Sequence, residues 1–178
     1  MPSESILPIR LAQTLGITSS LILSGMTLST SLNTVPRLLE SPPSLLLQQW
    51  GHMYDRGKRT GPPIALLSST TFLYLAYKAH TSPSLSATPN KVWPYILAGI
   101  LSISIIPYTF AVLMPTNRQL LRKVEVLGKV ELSREDEVEM RDAERSAHQL
   151  VDWWGVLNLG RGVLLVCSGV VGVWASLG

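Results

Sequence analysis

Four long apolar stretches constrain this chain more than any other feature of its sequence. The hydrocarbon core of a bilayer is about 30 Å thick, and a helix needs about 20 mostly apolar residues to cross it. The stretches that meet this requirement cover residues 11–32, 62–79, 93–114 and 155–177. Because a helix satisfies its own backbone hydrogen bonds in lipid, we expect an all-α protein. The sequence predicts a single membrane domain over residues 1–178, built as a four-helix transmembrane bundle.

The charge composition agrees with a membrane protein. Charged residues make up 15% of the chain, whereas a soluble domain carries about 25%. Residues 117–152 hold nine acidic and seven basic side chains, which predicts one polar cytosolic excursion. A net charge of +3 is too small for a nucleic-acid-binding surface. We therefore expect the lipid bilayer, and no nucleic acid, among the partners.

The first apolar stretch is rich in small residues. Gly16, Ser20 and Ser24 recur every four positions, a spacing that lets helices approach closely in lipid. We interpret this stretch as a retained span rather than a cleaved signal peptide. Only Arg10 precedes it as a basic residue, and no small-x-small cleavage site follows cleanly.

The distribution of lysine and arginine predicts the orientation. The first and third loops together carry eleven of these residues, whereas the N-terminal segment and the second loop carry three. Cytoplasmic loops concentrate positive charge. We expect loops 1 and 3 in the cytosol, with the endoplasmic reticulum as the membrane of a eukaryotic cell.

Two helical segments are predicted outside the spans. Residues 44–59 predict a short interfacial helix in loop 1, on which Trp50 and Tyr54 share a face because they are four positions apart. An aromatic belt at the headgroup level is the alternative interpretation of these rings. In loop 3, Ser133 precedes three acidic residues, as at a helix N-terminus. We therefore expect a cytosolic helical extension of the fourth span.

Arg161 is the most informative residue, because it lies inside the fourth apolar stretch. A charge near the middle of a bilayer costs about 2.5 kcal/mol or more, so it normally faces a partner or a cavity. Trp154 and Asn158 lie seven and three residues before it and form one helical stripe with it. Snorkelling of the side chain to the headgroups is the purely structural alternative. The aligned asparagine favours a ligand site.

Polar and aromatic side chains from three segments are expected at one membrane depth, near the cytoplasmic end. They are Trp50, Tyr54, Asn117, Trp154, Asn158 and Arg161. Such convergence predicts a pocket. Aromatic rings combined with an arginine and two amides suit a flat, partly phenolic ligand.

Three motifs resemble those of the fungal anthrone oxygenases, which are small four-span membrane proteins. They are W-x-x-x-Y-x-x-G-K from Trp50, P-x-T from Pro107 followed by M-P-x-N-R-x-L from Met114, and W-x-x-L-N-x-x-R-G from Trp154. The resemblance covers essentially the whole chain. It implies a monooxygenase-type oxidation of an anthrone to an anthraquinone by O2 in polyketide secondary metabolism, without flavin, haem or metal.

The resemblance also suggests roles for individual residues. Arg161 and Asn158 would stabilise an anionic oxygen of the substrate, with Asn117 as a further donor. The implied substrate-binding residues are Trp50, Tyr54, Thr109 and Trp154.

The proton acceptor stays open. His52 is the candidate base, because it lies on the cytoplasmic side and histidine titrates near neutral pH, although its position turns it off the aromatic face. His148 and Asp152 are expected to face away from the Arg161 stripe. Tyr54, Asp55 acting through a water molecule, and the acidity of the substrate itself are the alternatives.

Other activities find little support in the sequence. It has no glycine-rich nucleotide fingerprint, nucleophile elbow or HExxH motif, and its single cysteine, Cys167, excludes an intrachain disulfide. The alternatives are a non-enzymatic four-span scaffold, in which Arg161 pairs with an internal acid, and the same fold acting on another phenolic polyketide. A homo-oligomer through Gly169 and Gly172, or through the small-residue stripe, is also open.

Overall fold

The apolar stretches form the greater part of four long helices. The computed structural model describes residues 6–81, 92–128 and 146–177. The helices are α1 (Ile6–Leu39), α2 (Pro43–Thr81), α3 (92–128) and α4 (Ala147–Leu177). The described residues form no β-strand, so the predicted all-α fold is confirmed.

Three of the helices are long and apolar enough to cross a membrane. The segments that meet this criterion are Ile6–Leu39, Val92–Val126 and Ala147–Leu177. The remaining long helix, α2, contains the predicted second span, but its first half is polar. By length and composition, α2 therefore differs from its three neighbours.

The predicted interfacial helix of loop 1 is not a separate element. Residues 44–59 are helical, but they continue through Pro62 and Pro63 into the rest of α2. Proline usually begins or kinks a helix, and that preference predicts a break here. Packing overrides it, because Leu47 and Trp50 are completely buried and anchor the first half of α2 in a core cluster with α4. The loop between α1 and α2 is reduced to residues 40–42.

The four helices form a ring in which each packs mainly against two neighbours. Helix α1 lies between α2 and α4, and α3 lies between α2 and α4 on the other side. The small-residue stripe of α1 makes the contact with α4: Ser20 Oγ donates to the carbonyl of Leu165 at 2.9 Å, and Ser24 Oγ donates to that of Gly162 at 3.1 Å. The stripe is thus a packed interior face, as predicted.

A chain of buried serines connects the helices at mid-bundle. Ser68 on α2 and Ser168 on α4 both hydrogen-bond to Ser102 on α3, at 3.0 and 2.7 Å. Ser68 also donates to the carbonyl of Gly16 on α1 at 2.9 Å. In lipid, such bonds contribute about 0.6 kcal/mol each on average, and here they fix the helices relative to one another.

The glycines proposed for an oligomer interface are used inside the bundle. A Cβ atom at Gly169 would lie 2.5 Å from Leu21, and one at Gly172 would lie 2.6 Å from Phe72. Both glycines and the α1 stripe are buried within one chain. These residues are therefore not available at the surface to form the expected homo-oligomer interface.

Two helices contain a π-helical turn. In α1 it covers Thr30–Thr34, and in α3 it covers Thr109–Leu113, just after Pro107. Such turns insert a residue into the helical repeat and often occur at functional sites. Helix α4 begins at Ala147, before the predicted span, which confirms the last part of the predicted extension. Ser133 and the rest of that extension lie outside the described residues.

Candidate active site

A pocket of about 300 Å³ lies inside the bundle, on the side of its middle that is nearer the loop at residues 40–42. All four helices line it, through the C-terminal half of α1, the middle of α3 and the N-terminal halves of α2 and α4. Both π-helical turns border it, through Thr30 on α1 and Thr109 on α3. The volume is at the lower end of the range for small-molecule sites.

The structure brings most of the predicted site residues to this pocket. Six of the eight line it: Tyr54, Thr109, Asn117, Trp154, Asn158 and Arg161. They come from α2, α3 and α4, so the predicted convergence of separate segments is observed. Trp50 and His52 are not among the lining residues.

Trp50 lies behind the pocket wall instead of in it. Its side chain is completely buried. It stacks on Tyr54 with ring centroids 5.1 Å apart, and it meets Trp154 edge-on at 5.8 Å. Because its ring is covered by these two aromatic side chains, the predicted contact of Trp50 with substrate is corrected to a supporting role.

His52 is exposed and does not reach the pocket. It follows Trp50 by two positions, which turns it by about 200° around the helix axis. The predicted role of His52 as a base is therefore not supported by its position. His148 also faces elsewhere, as expected, since its Nε2 lies 3.1 Å from the carbonyl oxygen of Ser41.

The threonines of the pocket direct their hydroxyls into their own helices. Thr27, Thr30, Thr60 and Thr109 each donate to the carbonyl four residues earlier, at 2.7, 2.8, 3.1 and 2.6 Å. Thr109 is one of the predicted substrate-binding residues, but its hydroxyl hydrogen is already donated to the backbone carbonyl of Ile105. These residues therefore offer mainly their methyl groups to a ligand.

Asn117 keeps a free donor for the pocket. Its Oδ1 accepts a hydrogen bond from Trp154 Nε1 at 2.8 Å. An indole N–H can only donate, so the orientation of the Asn117 carboxamide is fixed by this bond. The Nδ2 group of Asn117 is left as a donor on a side chain that lines the pocket.

Asn158 is engaged on both sides of its carboxamide. Its Nδ2 donates to the carbonyl of Thr27 at 3.1 Å and to Ser31 Oγ at 2.9 Å. Its Oδ1 accepts from Arg161 Nη1 at 3.3 Å. Both amide hydrogens are used, so the predicted donation from Asn158 to a substrate oxygen is corrected. Asn158 holds Arg161.

Arg161 contributes an unneutralised cation to the pocket. No carboxylate and no imidazole is among the lining residues that the structure describes. Its Nε is buried and has no hydrogen-bond partner in the described ranges. Its Nη2 lies across Gly61, where a Cβ atom would be 3.4 Å away. The guanidinium is thus held inside the bundle, which contradicts the snorkelling alternative, and no acid among the described lining residues pairs with it.

An ion pair borders the mouth of the pocket. Lys58 Nζ lies 2.6 Å from Asp55 Oδ1 and 5.5 Å from the ring centroid of Tyr54. The hydrogen bond from Lys58 lowers the pKa of the Asp55 carboxyl below its ordinary value. Asp55 is therefore an anion at neutral pH and a weak base, which removes much of the support for a water-mediated role.

Another part of the pocket lining is apolar and exposed. Met26 on α1 and Phe110 on α3 line the pocket and are also 49% and 64% exposed at the surface of the bundle. The three membrane-type helices, together with this pocket, define a small helical membrane protein with a cavity inside the bundle.

Comparison with known proteins assigns this protein to a family. The family model described as anthrone oxygenase matches residues 50–171. This range is well over half of the chain and begins at Trp50. The chain belongs to the anthrone oxygenase family, which confirms the resemblance seen in its three motifs.

Curated fungal proteins give the same result. Anthrone oxygenase encC of Aspergillus fumigatus is 32% identical over 175 residues, which cover 94% of this chain and 93% of that protein. The noranthrone monooxygenase of Aspergillus flavus is 28% identical, with 88% and 69% covered. Anthrone oxygenase AgnL2 of Paecilomyces divaricatus is 35% identical, with 61% and 65% covered. No solved structure matches the chain.

Sequence reasoning missed residues of the site that lie on α1. Thr27 and Ser31 fix Asn158, and Met26 forms part of the rim. A signal for Ser31 was present, since it follows Ser24 by seven positions and so continues the small-residue stripe. The π-helical turn that carries Ser31 has no comparable sequence pattern.

Proposed function

We propose that this protein is a membrane oxygenase that converts an anthrone to an anthraquinone with O2. The observation that carries the proposal is Arg161, a cation that lines the pocket, with no carboxylate among the lining residues that the structure describes. Burying a charge without a partner is costly. A ligand that becomes an anion in the pocket supplies the missing counter-charge. Family membership supports the same conclusion.

An anthrone meets this requirement. Loss of a proton from its methylene carbon produces a planar aromatic anion, whose charge lies largely on the oxygen of the former carbonyl group. Arg161 and the free Nδ2 of Asn117 are the donors for that oxygen. Tyr54 and Trp154 offer aromatic surfaces for the tricyclic rings. Fixed donors of this kind stabilise the anion more than the neutral substrate, and this difference accelerates deprotonation.

The oxidation then balances without an external reductant. The anion passes one electron to O2, and the resulting radical pair combines to form a carbon–oxygen bond. Protonation gives a hydroperoxide, which loses its remaining C–H proton while the O–O bond breaks. One oxygen atom becomes the new quinone carbonyl, and the other leaves as water. The substrate supplies the electrons, so the proposed reaction uses no flavin, haem or metal.

Water is assigned as the proton acceptor, and the acidity of the substrate makes a stronger base unnecessary. The pocket has no carboxylate or imidazole among its described lining residues, and Arg161 increases the acidity of the bound anthrone. The proton leaves past Lys58 at the mouth, where water has access. O2 and an apolar substrate both dissolve in lipid, and the apolar rim at Met26 and Phe110 gives them an entrance from that side.

The proposed location is the endoplasmic reticulum, with all four helices spanning the membrane and the pocket end towards the cytosol. Exposed basic residues cluster at this end, namely Arg56, Arg59, Arg118 and Arg122. This distribution is the one that the positive-inside rule associates with the cytoplasm. A glycosylation acceptor placed at the other end should be modified in microsomes, and one placed at the pocket end should not.

Isotope incorporation tests the proposed reaction. Purified protein in detergent is given emodin anthrone under isotopically heavy O2, and the metal and flavin content of the same sample is determined. We expect one heavy oxygen atom in each quinone, formed faster than without protein and without a stoichiometric metal or flavin. Quinone formation at the spontaneous rate would contradict the enzyme activity, and turnover proportional to a bound metal would contradict the chemistry.

A further inference from the structure

We propose that Ser31 is a positioning residue for the reaction, acting through Asn158 on Arg161. The proposal rests on the oxygenase function argued above. It concerns a hydrogen-bond relay from α1 to α4 in which Ser31 holds Asn158 and Asn158 holds Arg161. Ser31 lies outside the range that the family model matches.

The direction of the relay is fixed by chemistry. The carbonyl of Thr27 can only accept a hydrogen bond, so the group of Asn158 that lies 3.1 Å from it must be the NH2. The same NH2 group donates its second hydrogen to Ser31 Oγ at 2.9 Å. The oxygen of the carboxamide is then turned towards Arg161, which can only donate.

Ser31 differs from the other serines that α1 presents to α4. Ser20 and Ser24 donate to backbone carbonyls of α4, which ties the two helices together. Ser31 accepts from a side chain of the pocket. It also lies in the π-helical turn Thr30–Thr34, where the helical repeat is locally widened. Its role is therefore distinct from helix packing.

The relay determines which donors of Arg161 are left for a substrate. Nη1 donates to Asn158, whereas Nη2 lies over Gly61, which also lines the pocket. A donor whose direction is fixed before the reaction needs no reorganisation when charge develops on the substrate oxygen. If the relay is broken, the guanidinium loses that fixed direction and stabilises the anion less.

Three variants separate positioning from packing. Ser31→Ala removes the acceptor, and Ser31→Thr retains a hydroxyl and should behave like the wild type. Ser24→Ala is the matched control, because it removes one buried hydrogen bond of 3.1 Å between the same two helices without touching Asn158. Ser31→Cys keeps side-chain volume with a weak acceptor, and it is used if Ser31→Ala does not fold.

Two measurements are made on each purified variant. In turnover of emodin anthrone, Ser31→Ala should lower kcat about tenfold with KM little changed, the scale of one lost hydrogen bond. In a titration of bound emodin, whose phenolate is coloured, wild-type protein should lower the pKa of the dye. Ser31→Ala should raise that pKa by about one unit relative to wild type, and Ser24→Ala should leave it unchanged.

The outcomes distinguish the two proposals. Equal kcat and equal dye pKa in Ser31→Ala, Ser24→Ala and wild type would overturn the relay, as would equal losses in both alanine variants. A wild-type protein that does not turn over the anthrone would overturn the proposed function. In that case the dye titration alone decides on the relay, because it measures anion stabilisation without turnover and is insensitive to an inactive fraction.

Discussion

Trp154 donates its indole N–H to the side-chain oxygen of Asn117 at 2.8 Å, and these residues are only 4% and 1% exposed. The bond joins α4 to α3 across the inner wall of the pocket. Because the indole can only donate, it turns the NH2 group of Asn117 to the free side. One buried bond thus sets the polarity of the proposed oxyanion site.

This relationship makes Trp154→Phe informative. The substitution keeps an aromatic surface but leaves the oxygen of Asn117 without its donor, which costs about 1–3 kcal/mol. The amide is then free to turn its oxygen towards the substrate, so we expect kcat/KM to fall about tenfold or more. Kinetics and thermal unfolding should be measured together. Trp153→Phe is the control, since Trp153 is 54% exposed, and an equal loss in both variants would contradict the account.

Gly57 should determine which substrates fit. It lies in the interior of α2, lines the pocket, and a Cβ atom there would meet nothing within 4 Å. Gly57→Ala should stabilise the helix by up to about 1 kcal/mol, whereas Gly57→Leu should fill the pocket and raise KM for substituted anthrones more than for unsubstituted anthrone. Gly25→Leu is the control, because Gly25 is equally open but outside the pocket. Unchanged selectivity in Gly57→Leu would contradict this role.

The pH dependence should not report the acidic and imidazole groups near the mouth. The hydrogen bond from Lys58 holds the pKa of the Asp55 carboxyl below its ordinary value. Because the pKa is lowered on folding, the ion pair is formed at every pH above the ordinary pKa of a carboxyl group. It is lost only when the pH falls through the lower pKa that Asp55 has in the folded protein. The activity of Asp55→Asn should therefore follow the wild-type pH profile between about pH 5 and pH 8. The activity of His52→Asn should follow it too, because His52 does not line the pocket. If either substitution abolished the fall in activity at low pH, the residue that was replaced would be identified as the base.

Packing of α4 should be intolerant of added volume. A Cβ atom at Gly172 would lie 2.6 Å from the buried ring of Phe72. We expect Gly172→Ala to destabilise the bundle by about 1–3 kcal/mol, measured as loss of thermal stability in detergent. Gly25→Ala, at an open helical position, should instead stabilise the bundle by up to about 1 kcal/mol, and equal stability of the two variants would show that the helices separate easily at Gly172.

The fold was largely predictable because lipid allows few alternatives. Apolar length identified the positions of the helices, and the spacing of Ser20 and Ser24 identified the buried face of α1. The continuity of α2 was not predictable, because local preference at Pro62 opposes it and only tertiary burial of residues such as Trp50 decides.

The sequence predicted six of the residues that line the candidate site, but it did not predict how their polar groups are oriented. Helical spacing correctly aligned Trp154, Asn158 and Arg161 on one stripe. The spacing of residues along α4 does not show whether the NH2 group or the oxygen of the Asn158 carboxamide faces a ligand. That orientation depends on Thr27 and Ser31, which lie on α1, far away in sequence. The same limit applies to Trp50, whose type suits substrate stacking but whose ring is covered by its neighbours.

The central claim is that Arg161 stabilises the substrate anion, and oxygen uptake tests it most directly. Purified wild type, Arg161→Met and Arg161→Lys are given emodin anthrone in detergent, with folding checked by thermal unfolding. Removing one oxyanion donor typically lowers kcat by about 10²–10³. We predict a loss of this size in a folded Arg161→Met protein and a partial activity in Arg161→Lys. Uptake by Arg161→Met within about twofold of the wild-type rate would contradict the claim, because losing an oxyanion donor should cost far more.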